Sequence, residues 1–411
     1  MTATAETAAP PRHWRDLFAE VIDPGLCSGC AACVVACPRQ VLAYAGDRPY
    51  QTDAESGAGG CRFGDSGCTV CAKACVRFHP DMEEMETTVV GRPRTSEETW
   101  GVSREVVAVR SSSDAVRGAA QDGGLVTALL SWAFDTGRID GAAVSGLDPE
   151  RPLHAVPVVV DSAEALLATA RSRYTYSPNP LALREVAPSR HVALVGTPCE
   201  VSAVRRAQSQ GLKKFRSVVF TVGLMCSESF SEEGLLDTVL RRRLGIDLHD
   251  VRKVNIKGRV LVSVPPGREG GLRNGTAGDT EARIVEPGLI EIPLKECKPF
   301  AREACHWCPD FSGELADISA GGLGLDGWTV AVVRTELGAE WLHRAAADGR
   351  LEVRDVEEFP EALATRDRLA RIQRRRPHKM REARGADAGP IGFDGTAVLT
   401  LPVPPKPGAA V

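Results

Sequence analysis

The 411-residue chain lacks a long apolar run. Its longest, around Gly124–Phe134, falls far short of the ~20 residues that span a bilayer, so no transmembrane segment is expected. It lacks a recognisable export signal. The opening MTATAETAAPPRHW has neither a basic n-region nor an apolar h-region, which predicts a flexible leader over residues 1–20 of a cytoplasmic protein. A charge excess is missing as well. Fifty Lys and Arg stand against 54 Asp and Glu, a formal net charge of −4, and this gives no footing for nucleic acid or a membrane surface as partner. Cysteine, by contrast, is abundant. Thirteen cysteines without an export signal point to metal or cluster binding rather than to disulfides.

The length allows two or three domains. Residues 21–80 are rich in Cys, Gly and Pro and weak in periodicity, so this segment needs an inorganic core in place of an apolar one. A helix is expected over His13–Ile22, and DMEEMETTVVGRPRTSEETWGVSR (81–104) reads as a polar linker. From Glu105 the texture alternates. REVVAVRSS, AAVSG, HAVPVVV, HVALVG and SVVFTVGLM read as strands, separated by the helical patterns of GGLVTALLSWAFDTG, SAEALLATARS and EVSAVRRAQSQG. The expected fold is an α/β domain with a largely parallel or mixed sheet, preceded by a ferredoxin-like α+β two-cluster module. Shorter strands flank a Gly-rich excursion at 266–280, and residues 346–411 read as a helix followed by a poorly ordered tail from about Arg375.

Cys27, Cys30, Cys33 and Cys37 follow C-x2-C-x2-C-x3-C-P, the bacterial ferredoxin run, in which the fourth cysteine serves the other cluster. A second set, Cys61, Cys68, Cys71 and Cys75, repeats the rhythm with a longer first loop and Val76 where proline is usual. The crossed arrangement assigns Cys27, Cys30, Cys33 and Cys75 to one 4Fe-4S cluster. Cys37, Cys68 and Cys71, completed by Cys61 or another loop cysteine, make the second. The alternative is zinc, but zinc prefers two C-x2-C pairs set well apart.

Five cysteines remain. Cys199 and Cys226 each follow a strand, at the sheet edge where open α/β folds bind ligands, and Cys305 and Cys308 form CHWC in a loop. Together these four could ligate a third site. The other reading makes Cys199 and Cys226 small buried hydrophobes and CHWC a zinc pair. Cys297 is a spare, either a core thiol or an alternative ligand.

The segments GGLVTALLSWAFDTGRIDGAAV, SRYTYSP, GTPCEVSAVRR, GLMCSESF and CHWCPDFSGELADISAGGLGLDGWTVAVVRTELG occur in one order. In that order the chain resembles the beta subunits of coenzyme F420-reducing hydrogenases and F420-linked formate dehydrogenases over about residues 20–345. With its cysteine-rich front it also looks like the electron-input subunit of F420H2 dehydrogenases. The resemblance divides the α/β region into an N-terminal part (105–190) and a C-terminal part (191–345) that binds FAD and a cluster. It implies that Cys199, Cys226, Cys305 and Cys308 ligate a third 4Fe-4S cluster. FAD contacts would fall on Asp122, Gly123, Gly124 and Thr127, on Ser172, Arg173, Tyr174, Thr175 and Ser177, and on Gly196 and Thr197. Lys257 matches a family lysine in the flavin pocket, and Glu228 is a candidate partner near cluster and flavin. The family's GSVG and PDGWSTV stand here as GGLG and LDGWTV, a shorter pocket rim.

The implied reaction moves hydride between coenzyme F420 and FAD, and single electrons between FAD and a redox partner, ferredoxin or a partner subunit, through the clusters. A basic approach for the anionic F420 tail is expected from Arg171, Arg173, Arg205, Arg206, Lys213 and Lys214. Two other readings compete: a ferredoxin-driven reductase of a small conjugated substrate, and a non-catalytic electron-transfer subunit of a larger complex.

Overall fold

The computed structural model describes residues 12–52, 61–274, 281–385 and 388–389. The flexible-leader reading falls mostly on residues outside this set, as does the far C-terminal stretch.

The N-terminal module starts with two helical turns, Trp14–Leu17 and Phe18–Ile22, that bury Trp14, Leu17, Val21 and Ile22. Two five-residue helices, Ala32–Ala36 and Val70–Ala74, each carry one cysteine of the two runs. Between them lies a hairpin of β1 (Leu42–Ala45) and β2 (Arg48–Gln51). Its two-residue turn, Gly46 and Asp47, has both φ angles near +55°, the turn that matches strand twist and favours these residue types.

Residues 82–90 form a helix where the sequence reads as linker. The Asp81 side chain accepts from the Glu84 amide at its start, and Gly91 ends it at φ 87°. The cap and stop signals outweigh the polar composition.

The α/β domain is built on an eight-stranded sheet. Its strands are β3 (Glu105–Ser111), β4 (Gly141–Leu147), β5 (Ala155–Val160), β6 (Val192–Gly196) and β7 (Val218–Leu224). A four-stranded excursion of β8 (Lys253–Ile256), β9 (Arg259–Ser263), β10 (Arg283–Glu286) and β11 (Leu289–Pro293) follows. The large sheet is then completed by β12 (Ile318–Gly321), β13 (Thr329–Val333) and β14 (Leu351–Asp355). Its order is β14-β3-β13-β12-β7-β6-β4-β5. The three pairings β12–β7, β7–β6 and β6–β4 are parallel and the other four antiparallel, so the sheet is mixed with a parallel centre.

β6 and β13 are buried at every position, as strands covered on both faces must be. On one face the helices Leu125–Asp135 and Glu336–Ala347 bury Trp132 and Trp341, with Phe220 stacked on Trp341 at 4.0 Å. On the other face helix Pro198–Ser209 shares one apolar core with Ala32, Val35, Ala36, Ala74 and Val76 of the N-terminal module. The cysteine-rich module is thus docked through side chains of its own two short helices.

The chain continues through Pro360–Arg374 and Arg376–Arg384, both helical, so the stretch just after Arg375 is ordered where the sequence reads as tail. Among the described residues no helix is long and apolar enough to cross a membrane.

Candidate functional site

Twelve of the thirteen cysteines fall into three neighbourhoods. Cys75 lies within electrostatic reach of Cys27 and Cys30, and Cys33 within reach of Cys27, Cys30 and Cys75. Cys71 instead has Cys68, Cys37 and Cys61 as neighbours. The fourth cysteine of each run therefore faces the other run's triplet, and Cys61 is the loop cysteine that joins the second group. Cys226 has Cys305, Cys199 and Cys308 around it. Cys297 stands apart, fully buried in the apolar core under the β8–β11 sheet.

Burial raises eight of these thiols. It pushes Cys30 up to about 11 and Cys71 to about 12, and it moves Cys27, Cys33, Cys75, Cys199, Cys226 and Cys308 upward too. Bare thiolates crowded in a dry site repel one another, and only a cationic inorganic core would let them ionise together.

The second group lines a pocket walled by Trp14, Leu42, Phe63 and Val70. Among the described residues no three Cys, His, Asp or Glu side chains converge on a single-ion site. The x2-x2-x3 rhythm of the two runs is that of cubane ligands, whereas zinc prefers separated C-x2-C pairs.

The groups form a line. Cys199 senses Cys30, and Cys33 senses Cys71, so the first group stands between the other two. Two buried arginines seal the junction. Arg77 donates to the carbonyls of Trp307 (3.2 Å) and Ala304 (3.1 Å), and its charge reaches both Cys27 and Cys308. Arg302 donates to the carbonyls of Ser28 (2.7 Å) and Asp47 (3.2 Å) and lies 3.7 Å from the centre of the Tyr176 ring. Gly29, at φ 70°, has to be glycine here, since a Cβ would stand 2.4 Å from the Asp47 carbonyl oxygen.

The flavin candidates divide into two patches. In the first, Asp122 lies near Lys253 and Lys257, and burial raises its carboxyl. Tyr174 donates to Asn255 Oδ1 (3.3 Å), accepts from the Ile256 amide (3.2 Å) and senses both Asp122 and Cys226. Ser172 hydrogen-bonds Tyr174, and Thr175 bridges to Phe230. Lys257 Nζ donates to Asp326 Oδ1 at 2.6 Å, an exposed partner. Arg173 is held by the carbonyls of Ala170 (3.1 Å), Arg171 (2.9 Å) and Thr169 (3.4 Å), and its buried Nε has no partner. Burial and Arg171 lower it to about 10. Among the described residues no carboxylate pairs with this buried cation, and an anionic ligand would supply its countercharge.

In the second patch, Thr197 donates to Glu200 Oε2 (2.8 Å) and touches Cys199 Sγ (3.2 Å), while Ser177 donates to Asn179 Oδ1 (2.8 Å). Glu200 accepts from the Thr197 and Asn179 amides and burial pushes it up to about 7. Gly196 packs its backbone against the Glu200 side chain. Gly123 is required by packing, since a Cβ would stand 2.6 Å from Val109 O and 2.8 Å from the Thr329 amide nitrogen. Gly124 caps helix Leu125–Asp135 at φ 79°, and Thr127 is buried in the first turn of that helix.

Several sequence candidates sit elsewhere. Arg205 pairs with Asp317 at 2.7 Å, Arg206 donates to the carbonyls of Lys73, Phe78 and His79, and Lys214 donates to Val186 O. Of the six basic residues proposed for an anion approach, Arg171 and Arg173 lie beside the first patch. Glu228, two residues after Cys226, stays beside the third group and pairs with Arg376 at 3.3 Å.

The segment after CHWC proves to be scaffold. Asp310 accepts the amides of Ser312 (3.0 Å), Gly313 (2.9 Å) and Glu314 (3.2 Å). Glu314 pairs with Arg94 (2.5 Å) and with Arg374, and the fully buried Arg334 donates to Ser312, Ser319 and Val102. This network ties the helix at 82–90 and the helix Pro360–Arg374 to the loop behind Cys308. Sequence reading missed Arg77 and Arg302, which act through carbonyls distant along the chain, and it missed the Asp310 turn and Glu200, the latter signalled by the capping box T-x-x-E at Thr197–Glu200.

The chain is similar to known proteins over both regions. The description "Coenzyme F420 hydrogenase/dehydrogenase, beta subunit" matches residues 106–184 with its N-terminal part and 189–359 with its C-terminal part. A 4Fe-4S binding domain matches residues 20–43. The coenzyme F420 hydrogenase subunit beta of Methanothermobacter thermautotrophicus is 31% identical over 294 residues, 69% of this chain and 96% of that protein. A coenzyme F420-dependent sulfite reductase of Methanocaldococcus jannaschii is 28% identical over 95% of this chain, which spans 57% of that longer protein. A chain of the F420-reducing NiFe hydrogenase complex from Methanosarcina barkeri superposes with a TM-score of 0.62 at 31% identity, covering 71% of this chain and 95% of that one.

Proposed function

The chain belongs to the coenzyme F420 hydrogenase/dehydrogenase beta-subunit family, and from that premise we propose that it passes electrons between coenzyme F420 and a one-electron partner such as ferredoxin, through FAD and three 4Fe-4S clusters. The observation that carries this reading is the line of thiol groups, in which Cys199 reaches Cys30 and Cys33 reaches Cys71. When bound, a flavin exchanges hydride on one side and single electrons on the other, and the clusters carry those electrons.

The chain's own residues would supply the rest. Cys199, Cys226, Cys305 and Cys308 would hold the cluster beside the flavin. Cys27, Cys30, Cys33 and Cys75 would hold the middle one, and Cys37, Cys61, Cys68 and Cys71 the outer one. Arg173 would bind the flavin pyrophosphate, its free Nε completing a fork of donors. Asp122, Gly123, Gly124, Thr127, Ser172, Tyr174, Thr175, Ser177, Gly196 and Thr197 would border the cofactor. Lys257 would leave the exposed Asp326 to face negative charge on a reduced ring.

Anoxic mixing of the reconstituted protein with reduced F420 tests the reading. The expected result is loss of flavin absorbance followed by reduction of an added one-electron acceptor. A flavin that stays oxidised under those conditions overturns it.

A further inference from the structure

The two C-terminal helices, Pro360–Arg374 and Arg376–Arg384, lie beyond residue 359, where the family match ends. Their side chains nevertheless reach the loop that carries Cys226 and the one-turn helix Glu303–His306 that carries Cys305, a residue the sequence reads as loop. Arg376 Nη1 donates to Ser227 O at 2.5 Å and to Cys305 O at 3.0 Å. Its Nη2 meets Glu228 Oε2 at 3.3 Å. Gln373 Nε2 adds a second bond to Ser227 O at 3.2 Å. One guanidinium therefore joins the backbone of two cysteine loops that are far apart in the chain.

The neighbours reinforce the grip. Arg384 pairs with Glu303 at 2.6 Å, just before Cys305, and its guanidinium lies 6.0 Å from the Trp307 ring. Trp307 separates Cys305 from Cys308 and is 1% exposed. Arg374 reaches Thr99 O and Glu314, binding the same helix pair to the scaffold behind Cys308.

We propose that these helices are a clasp for the third thiol group and that Arg376 is its positioning residue. Arg376 sets the separation of the Cys226 and Cys305 loops and places a fixed positive charge beside the group they hold. The proposal rests on the reading that these thiols hold a 4Fe-4S cluster. A four-thiolate cluster gains negative charge on reduction, so an adjacent cation favours its reduced form and raises its potential. A lysine can supply the charge but not the two-carbonyl fork.

The test uses the full chain, reconstituted anaerobically, as wild type, Arg376→Gln, Arg376→Lys and Lys379→Gln. Lys379 is exposed on the same helix and removes the same charge away from the loops. Iron per chain and an EPR-monitored redox titration are read for each. Arg376→Gln is expected either to lose about a third of the iron, four of roughly twelve atoms in three cubanes, or to keep it with one potential shifted negative. Arg376→Lys should keep the wild-type potential, and Lys379→Gln should match wild type in both readouts. Wild-type iron and potentials in Arg376→Gln overturn the clasp, and so does an equal shift in Lys379→Gln.

Alkylation of the iron-free protein separates this from failure of the cluster reading. Iodoacetamide with peptide mapping should label Cys226 and Cys305 several-fold faster in Arg376→Gln than in Lys379→Gln. Equal rates overturn the clasp whether or not the wild type carries a third cluster.

Discussion

The N-terminal module and the α/β domain bring thiols together by opposite means. In the module eight cysteines lie between residues 27 and 75, in two runs whose spacing and two short helices aim them locally. In the α/β domain four thiols come from residues 199 to 308, and they meet because parallel pairing sets β6 beside β7 and β7 beside β12. The first arrangement is written in the spacing. The second exists once the sheet has formed, and it needs props: the Asp310–Glu314–Arg334 network behind the CHWC loop and Arg376 in front of it. The difference teaches that spacing along the chain places the module's thiols before Arg77 and Arg302 join it to the domain, whereas a site assembled across a sheet depends on residues distant in the chain even to bring its thiols together.

The largest effects come from removing a thiol on either side of that divide. Cys33→Ala and Cys305→Ala are each expected to lose about four irons and to slow transfer from F420 to the one-electron acceptor by ~100-fold or more, beyond what outer-sphere changes cost. The comparison sharpens in the iron that remains: each variant should keep the spectrum of the other region. If Cys33→Ala also strips the Cys199–Cys308 group, the two regions are one folding unit and the contrast fails.

Next is the seam. Arg302→Gln removes the fork that links Ser28 and Asp47 to the Tyr176 ring. Stability in denaturant titrations should fall by about 2–3 kcal/mol, the size expected for charged hydrogen bonds lost in a buried site. An unchanged midpoint means that the shared apolar core around helix Pro198–Ser209 docks the module unaided.

Arg173→Met acts on one region alone. Flavin affinity should drop ~10–100-fold, matching one charged hydrogen-bonding group. Stability without flavin should change by less than ~1 kcal/mol, because lost carbonyl bonds and relief of an unpaired buried cation offset each other. Flavin titration and melting of the flavin-free protein read the two quantities separately, and a destabilised fold with unchanged affinity makes Arg173 a structural residue.

The smallest effect belongs to Asp326→Asn. Its pair with Lys257 is exposed, so melting should move by less than ~0.5 kcal/mol. The rate of flavin reduction by F420 should change nonetheless, since Lys257 loses its competitor. A stability loss above ~1 kcal/mol contradicts the view that the pair only holds Lys257 in reserve.

The same divide governs how much was legible in the sequence. The crossed use of Cys37 and Cys75 follows from the ferredoxin rhythm, and the alternation of strands and helices gives the α/β class. The helix at 82–90 had its signals in view, Asp81 at the start and Gly91 at the end, but polar composition masked them. Cys199 and Cys226 could be placed at strand ends, yet nothing in their spacing separates a ligand from a buried thiol, and their pairing with CHWC came from resemblance. Arg77, Arg302 and Arg376 left no trace, because an arginine that donates to distant carbonyls has no partner residue type to recognise. Of the basic residues read as an anion approach, Arg205 braces the α/β domain through Asp317 and Arg206 ties that domain to the module at Phe78 O.

The account stands on three thiol groups and one flavin acting in line. Anaerobic isolation with iron, sulfide and flavin quantified per chain tests that most directly. The account predicts about twelve irons, as many sulfides and one flavin. A preparation that contains zinc in their place, or eight irons with no flavin, contradicts it.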